Sequence, residues 1–369
     1  MSIKQNKKGR SNMKKILFTV LVVAGFFSVS HADTANGSGV AAIAEKVKSA
    51  ATEAAKEVKD AAKTAAHAVS EKVAKATAPS DSAEIRIFQA DNSDGKITPE
   101  TIQKAFEKAG FYMAANNGMN FPFKRDFNNT YYDVFNLAAF YSADVVKEFI
   151  KEYPTIGLFA PMTMSIYTKK GDKTISVATL SPARMAEISG IPADHKGWKK
   201  LDEMLQKALK SAMPNGKWVP YTAKKVPVKG PLTVTATMKM GDDWEDRLED
   251  LENDFESALT VNKFAMPAFN ELSEDIEDTG YDFYIVYSVC KIPVAYTISK
   301  NHPEMGAYAP CSMYIYKKEG DETVHFGIHH VKNWIHSMGL TEKEEVQILN
   351  DAMSKVEDIL KKTTSAKAE

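Results

Sequence analysis

The fold of this chain is decided by a stretch that reads YPTIGLFAPMTMSIYTKKGDKTISV at residues 153–177 and HPEMGAYAPCSMYIYKKEGDETVHF at residues 302–326. The residues shared by the two copies recur at a constant offset of 149, without a gap. They are Pro154, Gly157, Ala160, Pro161, Met164, Ile166, Tyr167, Lys169, Gly171, Asp172 and Thr174. So long a match predicts a duplication. We therefore expect an α+β fold with two tandem copies of a small domain, each with a curved, mainly antiparallel sheet and packed helices.

The composition is that of a globular protein. The chain has 369 residues, of which 44% are hydrophobic and 26% are charged, and its formal net charge is −1. Proteins that bind nucleic acid normally carry a clearly basic domain, so this balance argues against a nucleic-acid partner. The length fits two domains of ordinary size.

The N-terminus has the pattern of a secretory signal peptide. A basic region precedes an apolar run from Ile16 to Val29, and small residues follow at Ser30 and Ala32. We predict a signal peptide over residues 1–32, cleavage near Ala32, and a periplasmic or secreted protein that meets the membrane only through this peptide. An uncleaved anchor is the alternative, and Met13 is an alternative start to Met1.

Residues 33–79 form a segment of different composition, dominated by Ala, Lys, Glu and Val. Val47, Val58 and Val69 are spaced by eleven residues, which places them on one nearly straight stripe of an α-helix. The absence of Gly and Pro over residues 40–77 favours a long helix. We interpret the segment as a helical spacer, with self-association through residues 40–77 as a further hypothesis.

The rest of the chain divides into a first α+β domain (80–213), a linker rich in Pro, Lys and Gly (214–231), a second α+β domain (232–363) and a disordered tail (364–369). Thr98 followed by Pro99 predicts a helix start. The aromatic, Asn-rich residues 116–130 are predicted to be a loop. Gly171 and Asp172 predict a hairpin turn between two strands.

No motif in the sequence predicts a catalytic reaction. The chain has no nucleotide-binding loop, no zinc-protease helix motif and no nucleophile elbow. The segment DNSDGKITPE (91–100) resembles a calcium loop, but Ala90 and Thr101 would occupy positions that need acidic ligands. We therefore favour a protein without enzymatic activity.

Residues with soft or titratable side chains are concentrated in the second half. Cys290 and Cys311 are the only cysteines, and the same half holds His302, Met305, Met313, His325, His329, His330, His336 and Met338. Along the strand that starts at Cys311, residues 311, 313 and 315 share one face, which we predict to be core.

The two cysteines admit three interpretations. They are separate buried thiols, or a Cys290–Cys311 disulfide favoured by secretion, or part of a site for a ligand, a soft metal or a haem. No cofactor is required by the sequence. If the strands that carry them were parallel neighbours, the two sulfurs would lie too far apart to bond.

The second half resembles a known family. The segments CKIP (290–293) and HPEMGAYAPC (302–311), followed by a strand that ends at Tyr316, look like the family called domain of unknown function 302. Its members carry a Cys-Asn-Pro strand end and a Pro-Cys-Arg strand start, and their fold is similar to the TATA-binding-protein-like class. The resemblance covers residues 232–361 and, more weakly, residues 83–213. It implies a fold; the activity of the family is undefined.

Three hypotheses for function follow. The first is a non-catalytic envelope protein that binds a small ligand or an envelope component near the Pro-Cys strand start. Its candidate ligand-binding residues are Cys290, Pro310, Cys311, Met313 and His325. The second is a redox or metal-handling role of the second half. The third is a structural spacer protein of the envelope.

Overall fold

The structure, a computed structural model, describes residues 83–240 and 244–365. The predicted signal peptide, the helical spacer and residues 366–369 of the tail therefore lie outside the described residues. The described residues belong to one compact unit, so contacts between its two halves are part of the fold. None of the helices described is both long and apolar enough to cross a membrane.

The first half builds one sheet with helices beside it. Its strands are β1 (Ile85–Asp91), β2 (Tyr112–Gly118), β3 (Tyr132–Tyr141), β4 (Met162–Lys169), β5 (Thr174–Leu180) and β6 (Lys217–Val219). Its helices are α1 (Pro99–Lys108), α2 (Asn120–Phe127), α3 (Ala143–Val146), α4 (Pro182–Ser189) and α5 (Lys196–Ala212). A first 3₁₀ turn spans Pro154–Phe159, within the repeated stretch.

The second half builds another sheet. Its strands are β7 (Thr233–Lys239), β8 (Ala265–Glu271), β9 (Tyr281–Cys290), β10 (Cys311–Lys318) and β11 (Thr323–His329). Its helices are α6 (Trp244–Val261), α7 (Leu272–Asp275), α8 (Ile292–Ser299), α9 (Lys332–Met338) and α10 (Lys343–Ser365). A second 3₁₀ turn spans Pro303–Ala307, again within the repeated stretch.

The two sheets have the same strand order. Sheet 1 reads β2-β3-β4-β5-β1-β6, and sheet 2 reads β8-β9-β10-β11-β7. The strand pairs in both sheets are antiparallel. The predicted α+β class is therefore confirmed. Sheet 1 differs by its additional edge strand, β6, which comes from the segment that joins the two halves.

Local signals in the sequence place several of these elements. The Thr98 hydroxyl accepts a hydrogen bond from Thr101 N at 3.3 Å, which caps α1, and Pro99 follows as its first residue. Between β4 and β5 the chain turns at Gly171, whose φ of +80° suits a residue without a Cβ. Gly320 has the same role between β10 and β11, with φ at +73°.

The prediction of a loop over residues 116–130 is wrong, because helix α2 lies within it. Phe123 and Phe127 are four residues apart and so share one face of this helix. Phe127 stacks on Tyr296 of the second half, with ring centres 4.0 Å apart and an interplanar angle of 7°. Phe123 is fully buried against the same ring. Burial of these aromatic groups stabilises a helix that the Asn-rich composition disfavours.

The two halves insert their 3₁₀ turns into each other. The first 3₁₀ turn packs on β10 and β11, and the second packs on β4 and β5. The Tyr284 hydroxyl accepts a hydrogen bond from Gly157 N at 3.1 Å and donates one to Pro154 O. Ser312 Oγ donates to Pro161 O at 2.6 Å. Each turn thus buries its backbone against the sheet of the other half.

Two tyrosines at equivalent positions make reciprocal bonds across this interface. Tyr281 donates a hydrogen bond to Ile150 O at 2.7 Å, and Tyr132 donates one to Ser299 O. The two donor tyrosines are 149 residues apart in the sequence, and so are the two acceptor residues. The contacts explain why β10 is buried on both faces: Met313 and Ile315 face the core of the second half, while Tyr314 and Tyr316 face the first half.

Candidate functional site

A polar cleft of about 460 Å³ lies between the halves and is here called the central cleft. Its walls are strands β1, β4 and β5 on one side and the second 3₁₀ turn on the other, and residues 221–223 of the connecting segment close it. A volume of this size falls within the range of small-molecule sites in proteins. Its polar side chains are Gln89, Tyr167, Lys169, Asp172, Thr174, Ser176, Tyr221, Thr222, Asn301, His302 and Glu304.

Glu304 is the buried carboxylate of the central cleft. Glu304 is only 5% exposed and lies in the second 3₁₀ turn, where that turn packs against sheet 1. Its Oε1 accepts a hydrogen bond from the Tyr221 hydroxyl at 2.7 Å and another from His302 Nδ1 at 3.1 Å. Both contacts fall on one oxygen, so Oε2 is the atom that a ligand can address.

His302 lies between two carboxylates. Its Nδ1 contacts Glu304, and its Nε2 is 3.7 Å from Oε2 of Glu345, the third residue of α10. Glu345 is itself 3% exposed and accepts a hydrogen bond from Asn301 Nδ2 at 2.8 Å. Burial lowers the pKa of His302, but the hydrogen bond to Glu304 and the two negative charges outweigh it, and its pKa is raised.

Two phenols complete the polar wall. Desolvation, followed by the negative charge of Glu304, raises the pKa of both Tyr167 and Tyr221 above the ordinary value of a phenol. Both side chains are therefore neutral at physiological pH and act as hydrogen-bond donors. The central cleft consequently combines neutral donors, one buried carboxylate and one histidine that is readily protonated.

A second cavity lies inside the second half, between sheet 2 and helices α8, α9 and α10. We call it the thiol pocket, since Cys290 and Cys311 both line it; its volume is about 40 Å³. The two cysteines are on adjacent antiparallel strands, where Cys311 pairs with Val289. Both are free thiols in the structure. The parallel arrangement that would separate their sulfurs by a strand length therefore does not occur.

Burial makes both thiols weakly acidic. Burial raises the pKa of Cys290 to about 12. Burial also raises the pKa of Cys311, and the proximity of Cys290 raises it further. A thiolate is the reactive form of cysteine, and no positive group lowers either pKa. The pair is thus protonated at neutral pH and is a poor nucleophile.

The five ligand-binding residues predicted from the sequence do not form one site. Cys290 and Cys311 meet in the thiol pocket, and Pro310 precedes Cys311 after a cis peptide bond. Met313 is fully buried two residues further along β10 and is not among the residues that line the pocket. His325 pairs with Tyr316 and stacks on its ring at 4.8 Å, so it lies on the opposite face of the sheet from Cys311.

Sequence reasoning missed Glu304, Tyr221 and Glu345. A comparison of the two copies contains a signal for the first of these, since the second copy has Glu304 and His302 where the first has Thr155 and Tyr153. Tyr221 belongs to the connecting segment and Glu345 to the last helix. Both residues lie outside the repeated stretch, so comparing the two copies does not reveal them. Only the fold brings them close to His302 and Glu304.

The central cleft and the thiol pocket provide no conventional metal centre. Within residues 83–240 and 244–365, no group of three or more His, Cys, Asp or Glu side chains is arranged to hold a metal ion. The thiol pocket is also lined by Met305 and Met353, whose thioether sulfurs are not among those donor types.

Comparison with known proteins gives a family for part of the chain. Residues 244–363 match the family described as Domain of unknown function DUF302. The match covers β8 to β11 and helices α6 to α9, together with all but the last residues of α10, and so contains the thiol pocket and His302, Glu304 and Glu345.

A solved structure is also similar, the crystal structure of an uncharacterized conserved protein DUF302 from Bacillus stearothermophilus. It is 17% identical, and the match covers 36% of this chain and 98% of that chain with a TM-score of 0.30. Among curated proteins there is no match.

Proposed function

We propose that this chain is a non-catalytic protein that binds a small polar ligand in the central cleft. The observation that carries the proposal is Glu304, a carboxylate that is 5% exposed and faces a cleft of about 460 Å³. Burial of a charged group is costly unless it is paired or functional. Tyr221 and His302 satisfy only one of its oxygens.

The lining defines the chemical class of the ligand. Glu304 Oε2 and Ser176 can accept hydrogen bonds, while Tyr167 and the amide of Asn301 can donate them. Lys169 and Asp172 at the rim carry opposite charges, so the cleft has no strong preference for a charged ligand. We infer a small neutral molecule with several hydroxyl or amide groups, of the size of a monosaccharide.

Loss of the carboxylate should weaken binding. For Glu304→Gln, whose amide keeps the shape of the side chain, we expect the ligand to bind about tenfold more weakly, because a hydrogen bond to a charged group contributes roughly 1.5–3 kcal/mol and one to a neutral group roughly 0.5–1.5 kcal/mol. The measurement is saturation-transfer NMR with a panel of monosaccharides, free amino acids and simple amides, followed by titration of those that bind.

Glu187→Gln is the matched control, because the Glu187 side chain is 58% exposed and pairs with Arg184 outside the central cleft. It should bind as the wild type does. The proposal is wrong if no compound of the panel binds the wild type, or if Glu304→Gln and Glu187→Gln bind every compound equally well.

The first half is, we propose, a diverged second copy of the DUF302 domain. Three observations support this: the constant offset of 149 residues, the strand order shared by the two sheets, and the reciprocal bonds of Tyr132 and Tyr281. In this interpretation the first half supplies Tyr167 and Ser176 as one wall of the cleft, and the second half supplies Glu304 and His302.

We also propose that the protein is exported. The basic and apolar pattern of residues 1–32 supports this, with residues 33–79 as a spacer between the exported terminus and the paired domains. The intact mass of the protein isolated from its natural host should then correspond to a chain that begins at Asp33. A mass that includes the apolar run from Ile16 to Val29 would contradict export with cleavage.

A further inference from the structure

Four sulfur-containing side chains from four separate elements line the thiol pocket. Cys290 ends β9, Cys311 begins β10, Met305 lies in the second 3₁₀ turn, and Met353 lies in α10. Met305 is fully buried and Met353 is 4% exposed. Only one of the two methionines, Met305, is near a cysteine in the sequence, so the fold and not a local motif creates this set.

The volume of the thiol pocket limits what can occupy it. About 40 Å³ is room for one ion or one to two water molecules, and a haem or another organic molecule does not fit. A buried water needs two to four polar partners. Apart from the two thiols, the two thioethers and Lys291, the lining is aliphatic or aromatic, with Val294, Ile328 and Trp334 as examples. A hydrated species is therefore a poor occupant.

The donor set selects the kind of ion. Thiolate and thioether sulfurs are soft ligands that favour Cu(I), whereas Ca²⁺, Mg²⁺ and Mn²⁺ need oxygen ligands. Zn²⁺ is held by thiolate, imidazole or carboxylate groups, and the pocket lining has neither an imidazole nor a carboxylate. We propose that the thiol pocket binds a single Cu(I) ion, with Cys290 and Cys311 as thiolates and the thioethers of Met305 and Met353 completing the site.

The binding step balances without any change of oxidation state. Two S–H bonds break, two Cu–thiolate bonds and two Cu–thioether bonds form, and two protons pass to solvent, while copper enters and remains as Cu(I). The resulting bis-thiolate complex carries one negative charge. Lys291, which also lines the pocket, carries a positive charge; its Nζ donates to Asn262 O at 2.8 Å and lies 4.6 Å from the centre of the Phe264 ring.

The test is an anaerobic competition of the full-length, thiol-reduced protein with a chromophoric Cu(I) chelator, after both thiols have been counted. We expect one equivalent of copper to bind. Because two protons leave, the apparent affinity should rise about 100-fold per pH unit between pH 6 and pH 8, after correction for the chelator. After desalting, the copper content measured by mass spectrometry should remain near one per chain.

Matched variants locate the site. Cys290→Ser and Cys311→Ser should each lower the affinity at least 100-fold, and Met305→Leu and Met353→Leu should lower it about tenfold while conserving side-chain volume. Met313→Leu is the control, because Met313 is equally buried on the face of Cys311 but does not line the pocket. It should bind copper as the wild type does. Circular dichroism confirms that each variant is folded.

Three outcomes would overturn the proposal: no copper retained by the reduced wild type, equal retention by the cysteine variants and Met313→Leu, or an affinity that does not change with pH. A Cys290–Cys311 disulfide that reductant cannot open would also overturn it. The inference is independent of the central cleft, since Glu304→Gln should retain copper fully.

Discussion

Replacing Gly306 by alanine is expected to lower the free energy of unfolding by roughly 3 kcal/mol, at the upper end of the cost of overpacking. A Cβ at this position would lie 2.5 Å from the backbone N and 2.7 Å from the Cα of Ser165. Backbone atoms of a central strand cannot move aside as the end of a flexible side chain can. The second 3₁₀ turn would therefore have to withdraw from sheet 1.

The measurement is chemical denaturation followed by circular dichroism and by tryptophan fluorescence. Gly118→Ala is the matched control, because its nearest neighbour would be Asn136 Oδ1 at 3.8 Å, an ordinary contact. It should change stability by less than about 1 kcal/mol. Equal stability of the two variants would show that the second 3₁₀ turn does not insert as tightly as described.

Replacing His329 by leucine is expected to remove the contribution of this histidine to the acid sensitivity of the protein, while that of His330, whose pKa burial also lowers to about 4, remains. His329 is 3% exposed, its Nδ1 has no hydrogen-bond partner, and it lies beside Tyr308. Burial, the main cause, lowers its pKa to about 4, and the nearby charges of His330 and Arg184 act in the same direction. The first half has Leu180 at the equivalent position, so leucine is a side chain that this kind of strand accommodates.

A histidine whose pKa is lowered by folding takes up its proton first in the unfolded state. The resulting loss in the free energy of unfolding is absent above pH 6.5 and grows as the pH falls from 6.5 towards 4. With these two pKa values, the loss of stability at pH 5 is about 2 kcal/mol.

The difference in unfolding free energy between His329→Leu and the wild type should therefore shift by about 2 kcal/mol between pH 7.5 and pH 5, in favour of the variant. Urea denaturation at both pH values measures it. His195→Asn, which removes a histidine from the cap of α5 and retains a capping side chain, should follow the wild type. Parallel pH profiles for all three proteins would contradict the assignment.

Most of the sheet framework could be predicted from the sequence, because it depends on local chemistry. The Gly-Asp pair at 171–172 specifies the β4–β5 hairpin, and alternating apolar residues from Cys311 onwards specify a strand. The Thr98-Pro99 cap likewise fixes the start of α1. In each case, a few neighbouring residues determine the backbone conformation, and no distant contact is needed.

The mistakes arise where distant contacts decide. Helix α2 forms in an Asn-rich stretch because Phe123 and Phe127 find the ring of Tyr296 in the other half. Distant contacts also decide a point that the sequence left open, the order of the strands that carry Cys290 and Cys311: both cysteines line one pocket because these strands are antiparallel neighbours.

The central cleft was beyond prediction for the same reason. His302 and Glu304 belong to the repeated stretch, Tyr221 to the connection and Glu345 to the last helix. Their proximity follows from the insertion of the second 3₁₀ turn into sheet 1. No spacing along the chain encodes that contact.

The connection between the halves has a consequence for how such a protein diversifies. Tyr221, Thr222 and Ala223 line the central cleft, and Tyr221 holds the Glu304 carboxylate. Connections between domains usually drift freely in length and sequence, because little depends on them. Here each such change alters residues that line the central cleft, while both sheets stay intact. If the central cleft binds the ligand proposed above, natural variation in this segment would alter ligand preference, and a library randomised at residues 221–223 is the direct route to new specificities.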